Sequence, residues 1–266
     1  MAITVCVAGA TGWTGRAVAE AIRDATDLDL RSAVSRAAAG RDLGEAWGGA
    51  PAGVPVYSQV AEALAGVDVL VDYTSHDAVR ANTLTAIERG VHVVIGSSGL
   101  TAADFADIDR AARAAGVGVF AAGNFSLTAT LATMAAMLAA KHLPSWEIVD
   151  YAEAGKPDAP SGTSRELAER LADIAQPVVQ RPIAETAGPV EARGATVAGT
   201  QIHSVRLPGF TLSTEVVFGL PDERLVIRHD SGTSPSPYVA GTLVAVRAVP
   251  GLTGLVRGLS ALLGDG

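Results

Sequence analysis

The chain has 266 residues, of which 48% are hydrophobic and 18% are charged. This composition is typical of a protein with a large apolar core and argues against a disordered chain. Acidic residues outnumber basic residues by 28 to 20, which gives a formal charge of -8, and lysine and arginine form no cluster. We therefore expect neither nucleic acid nor an anionic membrane surface as a partner.

The single cysteine, Cys6, lies in an apolar, strand-like segment and has no intrachain partner for a disulfide. This pattern favours a reducing compartment, so we expect a cytoplasmic location. The first apolar run, Ile3–Ala8, is short and lacks the basic residues that begin a signal peptide. The uncharged stretch 114–140 is long enough to cross a membrane, but glycines, Asn124 and Ser126 interrupt it. We interpret it as a strand, a turn and a buried helix.

The first half of the chain alternates short β-branched runs with alanine-rich helical patterns. The predicted strands are Ile3–Ala8, Leu28–Val34, Val67–Tyr73, His92–Ile95 and Val117–Ala121, and the predicted helices are Thr14–Arg23, Asp77–Arg89 and Ala102–Ala114. Such alternation predicts an α/β domain with a parallel sheet covered by helices on both faces. Sheets of this kind bind ligands beyond the carboxyl ends of their strands.

After Asn124 the pattern changes. A helix at Leu127–Ala140 precedes a strand at Glu147–Tyr151, and a polar loop is predicted from Gln176 to Ala198. Three more strands are predicted at Gly199–Leu207, Leu212–Phe218 and Arg224–His229, followed by a helix from Pro235 to about Pro250. Because the three strands are joined by short connections, we expect them to form an antiparallel or mixed sheet in a second domain.

A glycine-rich turn follows the first strand and opens the first helix. Its residues are Gly9, Ala10, Thr11, Gly12, Trp13, Thr14 and Gly15. In dinucleotide-binding folds the first glycine makes the turn, the second admits the pyrophosphate, and the third lets the helix pack on the strand. We predict a dinucleotide cofactor here; the alternative is a purely structural turn.

The residue that selects between the two nicotinamide cofactors lies about twenty positions beyond this turn. An acid there binds the ribose of NADH, whereas an arginine matches the 2′-phosphate of NADPH. This chain has Ser35 and Arg36 at the end of the second strand, and no acid. We predict NADPH as the preferred cofactor, with NADH possible as a substitute; the alternative is that Arg36 is a solvated loop residue.

The segment 156–163, Lys-Pro-Asp-Ala-Pro-Ser-Gly-Thr, precedes an amphipathic helical pattern. Thr163 and Glu166 have the spacing of a capping box, which predicts a helix that begins there. Free N–H groups near Gly162 at the positive end of that helix favour a carboxylate or phosphate, and Lys156 could neutralise or protonate it. The alternative is a proline-rich loop before an ordinary helix cap.

These segments together resemble the dihydrodipicolinate reductase family over nearly the whole chain. The matching runs are 9–15, 71–74, 96–99, 124–126, 156–163, 202–209, 217–219 and 227–231. The resemblance implies a Rossmann-like domain at 1–124, to which 236–266 return, and an α+β substrate domain at 125–235. It also implies a homotetramer built through the mixed sheet of the second domain.

The same resemblance implies hydride transfer from a nicotinamide cofactor to a cyclic unsaturated imine dicarboxylate. By analogy, the cofactor would be lined by the glycine turn and by Tyr73, Gly96, Ser98, Asn124 and Phe125. Ser161, Gly162 and Thr163 would hold a substrate carboxylate, with Lys156 nearby.

The chain departs from the family in the substrate pocket. Typical members have a pair of histidines before the lysine, the first of which is regarded as the proton donor, whereas this chain has Ala152 and Glu153. Trp13 also replaces the usual arginine of the glycine turn. These changes predict a paralogue that reduces another carboxylated imine or enamine, with Lys156 as the best remaining catalytic acid and Glu153 as a weaker candidate. If the substrate is already an iminium ion, no acid is needed.

Two other functions remain open. The first alternative is a genuine dihydrodipicolinate reductase of lysine biosynthesis, and the second is a non-catalytic NADPH-binding sensor. The five histidines are scattered along the sequence, so we predict no metal. His203 lies in an apolar strand and is interpreted as a structural residue.

Overall fold

The computed structural model describes residues 2–264. The chain divides into two compact units. The first unit contains the residues up to Leu127 and those from Pro235 onward, and the second contains Thr128–Ser234. The sequence therefore leaves the first unit once and later returns to it.

The strands of the first unit within residues 2–264 are β1 (Ile3–Ala8), β2 (Leu28–Val34), β3 (Val56–Tyr57), β4 (Val69–Asp72), β5 (His92–Ile95), β6 (Gly118–Ala121) and β12 (Gly254–Arg257). They form one parallel sheet in the order β12-β6-β5-β4-β1-β2-β3. The order changes direction at β1, between β4 and β2. Parallel sheets bind ligands at such a switch point, beyond the carboxyl ends of the strands.

Helices cover both faces of this sheet. They are α1 (Trp13–Asp24), α2 (Leu43–Ala46), α3 (Val60–Ala63), α4 (Val79–Glu88), α5 (Ala102–Ala115), α8 (Ser236–Ala248) and α9 (Ser260–Leu263). Alternate residues of β1 enter two apolar clusters, with Val5 and Val7 in one and Cys6 and Ala8 in the other. Burial on both faces explains why this strand is continuously apolar in sequence.

The second unit contains a five-stranded mixed sheet within the part of the chain that is described. Its strands are β7 (Trp146–Ala152), β8 (Ala195–Val197), β9 (Thr200–Arg206), β10 (Leu212–Leu220) and β11 (Glu223–Ser231), and its helices are α6 (Leu127–Ala140) and α7 (Gly162–Ala172). The strand order is β11-β10-β7-β9-β8, with β7 and β9 parallel and the other pairs antiparallel. Leu167 and Leu171 of α7 pack with Ile148 and Phe218 of the sheet.

The predicted fold class is confirmed, with a Rossmann-like parallel sheet and a second, mixed sheet. The three strands predicted after residue 198 lie in one mixed sheet, as expected, although β7 lies between β9 and β10. Short elements were missed: β3 and β12 in the first sheet, and β8 inside the predicted loop Gln176–Ala198.

None of the helices in residues 2–264 combines the length and the apolar character that crossing a membrane requires.

Candidate active site

The glycine turn is packed so closely that its first and last glycines have no room for a side chain. Gly9 has a φ of +84°, and a Cβ there would lie 2.4 Å from the carbonyl oxygen of Tyr73. A Cβ on Gly15 would lie 2.2 Å from the carbonyl oxygen of Gly9. The start of α1 therefore lies directly against the turn, at the carboxyl ends of β1 and β4.

No side chain among residues 2–264 caps the N-terminus of α1. Its N-cap residue is Gly12, which makes no side-chain cap hydrogen bond, and the first turn contains no acid. By contrast, α5 is closed by a complete capping box between Thr101 and Asp104. The uncapped N–H groups and the helix dipole at α1 suit an external anion. Trp13, 60% exposed, packs edge-to-face against Tyr238 with ring centroids 6.2 Å apart.

Two of the predicted residues lie where β2 ends. The hydroxyl of Thr11 is 2.7 Å from the hydroxyl of Ser35, which joins the glycine turn to β2. Arg36 follows as the first residue of a 3-10 turn. Its side chain is exposed and has no ion pair or hydrogen bond among the described residues. The guanidinium is therefore available to a ligand at this edge.

Tyr73 anchors the residues that follow β4. Its ring fills the space where Gly96 would carry a side chain, since a Cβ on Gly96 would lie 2.2 Å from the tyrosine Cε1. The ring of Phe125 packs against it at 6.1 Å between centroids. The hydroxyl of Thr242 donates to the carbonyl oxygen of Tyr238, so the Tyr73 hydroxyl donates to Thr242 over 2.7 Å. Burial raises the pKa of Tyr73, which remains a neutral hydrogen-bond donor.

Asp72 fixes the two loops at the carboxyl ends of β4 and β5. It is fully buried and accepts hydrogen bonds from the hydroxyls of Thr74 (2.6 Å) and Ser97 (2.8 Å) and from the amide of Asn82 (2.8 Å). These contacts brace the loops against the ends of the two strands. Ser98, next to Ser97, is exposed. In a separate loop of this unit, Asn124 accepts from the backbone N–H of Ser126 at 2.8 Å.

The start of α7 differs from the prediction. The helix begins at Gly162 with Ser161 as its N-cap, so the predicted capping box between Thr163 and Glu166 is wrong. The hydroxyl of Ser161 accepts from the backbone N–H of Ser164, which moves the start of the helix toward the N-terminus. Thr163 thus lies inside the first turn instead of capping it.

Ser161 is fixed by two hydrogen bonds to the buried side chain of Asp150. Its N–H donates to Asp150 over 2.8 Å and its hydroxyl donates to the same carboxylate over 2.6 Å. Both donors of Ser161 are therefore satisfied within the protein. Gly162 and Thr163 are exposed residues in the first turn of α7.

Lys156 lies beside this helix start and is paired with Asp158. The ammonium Nζ is 2.7 Å from Oδ1 of Asp158. The side-chain hydrogen bond from Lys156 lowers the pKa of the Asp158 carboxyl, and the backbone N–H of Gly162 also contributes. A carboxylate of the protein itself is thus stabilised by the cation and an amide at the start of α7.

Ala152 and Glu153, which replace the two histidines, lie at the end of β7 and just beyond it. Ala152 is the last residue of β7 and is fully buried. Glu153 is exposed beyond the strand, and its carbonyl oxygen accepts from the N–H of Lys156 at 3.2 Å. His203 is on the other face of the sheet, where its Nε2 lies 2.7 Å from a carboxylate oxygen of Glu147. That contact fits its interpretation as a structural residue.

Sequence analysis missed Asp150 and Arg206. Asp150 occupies a buried position in β7, where Trp146, Ile148 and Ala152 are the other buried residues on the same face. An acid at a core position of an alternating strand was the available signal, because buried carboxylates require partners. Arg206, the last residue of β9, is the charged partner of Asp150, with its Nη2 2.7 Å from Oδ2 of the carboxylate.

A parallel sheet with a glycine turn and an uncapped helix at its switch point is the arrangement of a dinucleotide-binding domain. Comparison with known proteins specifies the family. Residues 3–125 match the family model for the N-terminus of dihydrodipicolinate reductase, and residues 111–263 match the model for its C-terminus. The chain belongs to the dihydrodipicolinate reductase family.

Named relatives span the full length of the chain. The 4-hydroxy-tetrahydrodipicolinate reductase of Desulfitobacterium hafniense is 38% identical over 98% of both chains, and that of Moorella thermoacetica is 39% identical over the same shares. A solved dihydrodipicolinate reductase from Paenisporosarcina sp. TG-14, with dipicolinate bound, is 28% identical. It has a TM-score of 0.86 and covers 97% of this chain and 98% of its own.

The fold extends to more distant enzymes. An amine dehydrogenase from Mycobacterium smegmatis aligns with a TM-score of 0.65 at 18% identity, over 96% of this chain and 94% of its own. The chain is an NAD(P)H-dependent reductase, since its family uses NADPH or NADH. This result favours an enzyme over a non-catalytic sensor.

Proposed function

We propose that the chain uses NADPH to reduce the C=N bond or a conjugated C=C bond of a small carboxylated substrate. The observation that carries the proposal is the carboxylate of Asp158, which is stabilised by Lys156 and the amide of Gly162 at the start of α7. A site that stabilises one carboxylate has the charge and the donors to accept another. The substrate carboxylate would take over the amide of Gly162 from Asp158 and would also accept from the amide of Thr163.

The residues of the first unit fit a dinucleotide. The space that a Cβ on Gly9 or Gly15 would fill is already taken by backbone, so the turn can only be made with glycines. The uncapped amides of α1 would bind the diphosphate, and Tyr73, Gly96, Ser98, Asn124 and Phe125 would line the rest of the cofactor site. When bound, the nicotinamide supplies a hydride.

Lys156 is the proposed general acid and electrostatic stabiliser. Its ammonium would neutralise the bound carboxylate and could give a proton to the atom that becomes electron-rich. Glu153 is the second candidate, because it is the next ionisable side chain toward β7. The buried methyl group of Ala152 can neither donate nor accept a proton.

Two substrates are supported by different observations. The loss of both histidines at Ala152 and Glu153 supports a carboxylated imine or enamine other than the lysine precursor. The full-length identity of 38% to named 4-hydroxy-tetrahydrodipicolinate reductases supports the lysine-pathway substrate at least as well. The two candidates share the cofactor, the carboxylate site and the type of reaction.

Turnover separates the candidates. Freshly prepared 4-hydroxy-tetrahydrodipicolinate and a cyclic imine with a single carboxylate would each be mixed with enzyme and NADPH, and NADPH absorbance would be followed. Faster oxidation with the first compound assigns the lysine-pathway activity, and faster oxidation with the second assigns the changed substrate. NADPH binding without oxidation by either compound, or by related imines and enoates, would refute the proposed function.

The preference for NADPH is tested at Arg36. Its exposed guanidinium, unpaired among residues 2–264, would bind the 2′-phosphate of NADPH, which NADH lacks. We expect Arg36→Ala to weaken NADPH binding by about 10- to 100-fold and to leave NADH binding unchanged. Arg31→Ala is the matched control, since Arg31 lies on β2 and pairs with Asp29 at 3.3 Å. Equal NADPH-to-NADH affinity ratios in wild type and Arg36→Ala would show that Arg36 does not bind the 2′-phosphate.

A homotetramer and a cytoplasmic location are also part of the proposal. The edge strand β11 exposes Leu225 (44%) and Val226 (49%), which supports assembly through the second sheet. Light scattering on the purified chain measures the number of copies, and a monomer at micromolar concentration would contradict the assembly.

A further inference from the structure

The side chain of Asp150 is the acceptor at the centre of a buried hydrogen-bond network. This side chain is fully buried, and its two carboxylate oxygens accept from two segments of the second unit, the start of α7 and β9. The donors are the N–H of Ser161 (2.8 Å), the hydroxyls of Ser161 (2.6 Å), Ser164 (3.0 Å) and Ser204 (3.2 Å), and Nη2 of Arg206 (2.7 Å). A buried carboxylate is stable only with such partners.

Arg206 extends this network to the loop that contains Lys156. Its Nη2 also donates to the carbonyl oxygen of Asp158 over 2.7 Å. Its Nη1 donates to the carbonyl oxygens of Asp150 (3.2 Å) and Val205 (3.0 Å). The loop between β7 and α7 is therefore held at Asp158 through Arg206 and at Ser161 by Asp150 directly.

Both contacts lie next to the residues that would hold the substrate. Asp158 is the partner of Lys156, and Ser161 precedes the amides of Gly162 and Thr163. Moving either contact would change the distance between the cation and the amides. Carboxylate binding depends on that distance, because charge-assisted hydrogen bonds weaken quickly when their geometry is lost.

We propose that Asp150 is a positioning residue for substrate, which sets the spacing between Lys156 and the amides at the start of α7. This inference rests on the proposed function, in that the substrate carboxylate is bound at this place. Asp150 itself is buried beneath the loop and acts through Ser161 and Arg206.

The ionisation of Asp150 is consistent with this role. Burial alone would raise its pKa, but the hydrogen bonds from Ser161 and Arg206 outweigh burial and lower it. The carboxylate is thus charged at neutral pH and can accept from all its donors.

The experiment compares Asp150→Asn with wild type. An asparagine has the same shape, but it offers one acceptor oxygen and turns an N–H₂ group toward donors. Dipicolinate serves as the probe, with its affinity measured by calorimetry on the full chain in the presence of saturating NADPH. We expect its Kd to rise at least about tenfold and the Kd of NADPH to stay within about twofold. Hydrogen exchange in residues 156–163 should become faster.

Glu147→Gln is the matched control. Glu147 lies on the same strand but on the other face of the sheet, where it also pairs with an arginine, Arg193, and with His203. We expect this variant to leave dipicolinate binding and exchange in 156–163 unchanged. A lowered melting temperature in Asp150→Asn with unchanged dipicolinate affinity would show that Asp150 is only structural, and it would overturn the inference.

Milder variants decide the question if Asp150→Asn does not fold. Ser164→Ala and Ser204→Ala each remove one donor to Asp150, and we expect dipicolinate affinity to fall about two- to fivefold in each. Unchanged affinity in both would overturn the inference. Failure of the proposed function has a different signature. Wild type would then neither bind dipicolinate nor oxidise NADPH with imines, while faster exchange in 156–163 of Asp150→Asn would still report the positioning contact.

Discussion

Lys156 has the clearest consequence at the scale of a single residue. It is one of two lysines in the chain, and its ammonium lies 2.7 Å from Asp158 next to the start of α7. Losing a charge-assisted hydrogen bond to a substrate carboxylate costs about 1.5–3 kcal/mol, so we expect Lys156→Ala to lower kcat/KM by about 10- to 100-fold. NADPH affinity, measured by fluorescence titration, should be unaffected.

Two further variants separate charge from proton donation at this position. Lys156→Arg keeps the positive charge, but a guanidinium does not release its proton near neutral pH. If Lys156 is the acid, this variant should recover most of the substrate affinity and little of kcat. Lys141→Ala changes the other lysine, which is exposed, and should behave as wild type. Full activity in Lys156→Ala would show that neither role belongs to Lys156.

At the scale of elements, the packing of α1 against the glycine turn makes Gly15 irreplaceable. An added methyl group would lie 2.2 Å from the carbonyl oxygen of Gly9, so the helix must move away from β1. We expect Gly15→Ala to weaken NADPH binding more than tenfold, by about 1.4 kcal/mol or more, because the amides of α1 would move with the helix. Gly49→Ala is the control, since its nearest neighbour would be 3.6 Å away. Equal NADPH affinity in the two variants would contradict this packing role.

Local sequence patterns predicted the helices and strands that are apolar along their own length. They failed for elements that form only through contacts with residues far away in the sequence. The strand β1 and the helix α6 were predicted with the bounds that the structure has, because each is an uncharged, largely apolar segment. The edge strand β12 was missed, because Gly254–Arg257 becomes a strand only by pairing with β6 and by the bond from Leu255 to Asp109 at 2.7 Å.

In the candidate site, too, contiguous motifs were predicted and contacts between distant residues were not. The glycine turn and Lys156 are contiguous motifs, so the sequence alone was enough to select them. The start of α7 was misplaced, because Asp150 fixes Ser161 from eleven positions earlier in the chain. Arg206 lies 56 positions from Asp150, and only the parallel pairing of β7 with β9 brings the two together.

At the scale of the whole molecule, the ionisable groups make the fold sensitive to acid. Hydrogen bonding to Arg247 lowers the pKa of Asp27, and that from Arg113, with the backbone N–H of Leu255, lowers the pKa of Asp109. These two carboxylates tie the returning C-terminal segment to the rest of the first unit. Their stabilisation is present above the unfolded-state pKa of about 3.9 and is lost as pH falls through the lower folded-state pKa.

His92 adds a second, milder dependence at higher pH. Its Nδ1 accepts from the N–H of Gly118 over 2.9 Å, which requires an unprotonated nitrogen, and burial lowers its pKa. As pH falls below about 6.5, the unfolded chain takes up a proton that the folded chain resists, so stability decreases. We expect the melting temperature to fall gently from about pH 7 to pH 5.5 and steeply below about pH 4.

Variants assign the two phases of this decrease. Glutamine at position 92 can still accept from Gly118 but does not titrate, so His92→Gln should flatten the slope between about pH 7 and pH 5.5. His229, whose pKa burial also lowers, leaves a residual slope there. Asp27→Asn should weaken the steep phase and leave the gentle one intact, because it removes one titrating carboxylate. A melting temperature that stays constant or rises as pH falls from 7 to 5 would contradict this prediction. The folded protein would then take up protons at least as readily as the unfolded chain, although the hydrogen bond from Gly118 to His92 requires an unprotonated nitrogen.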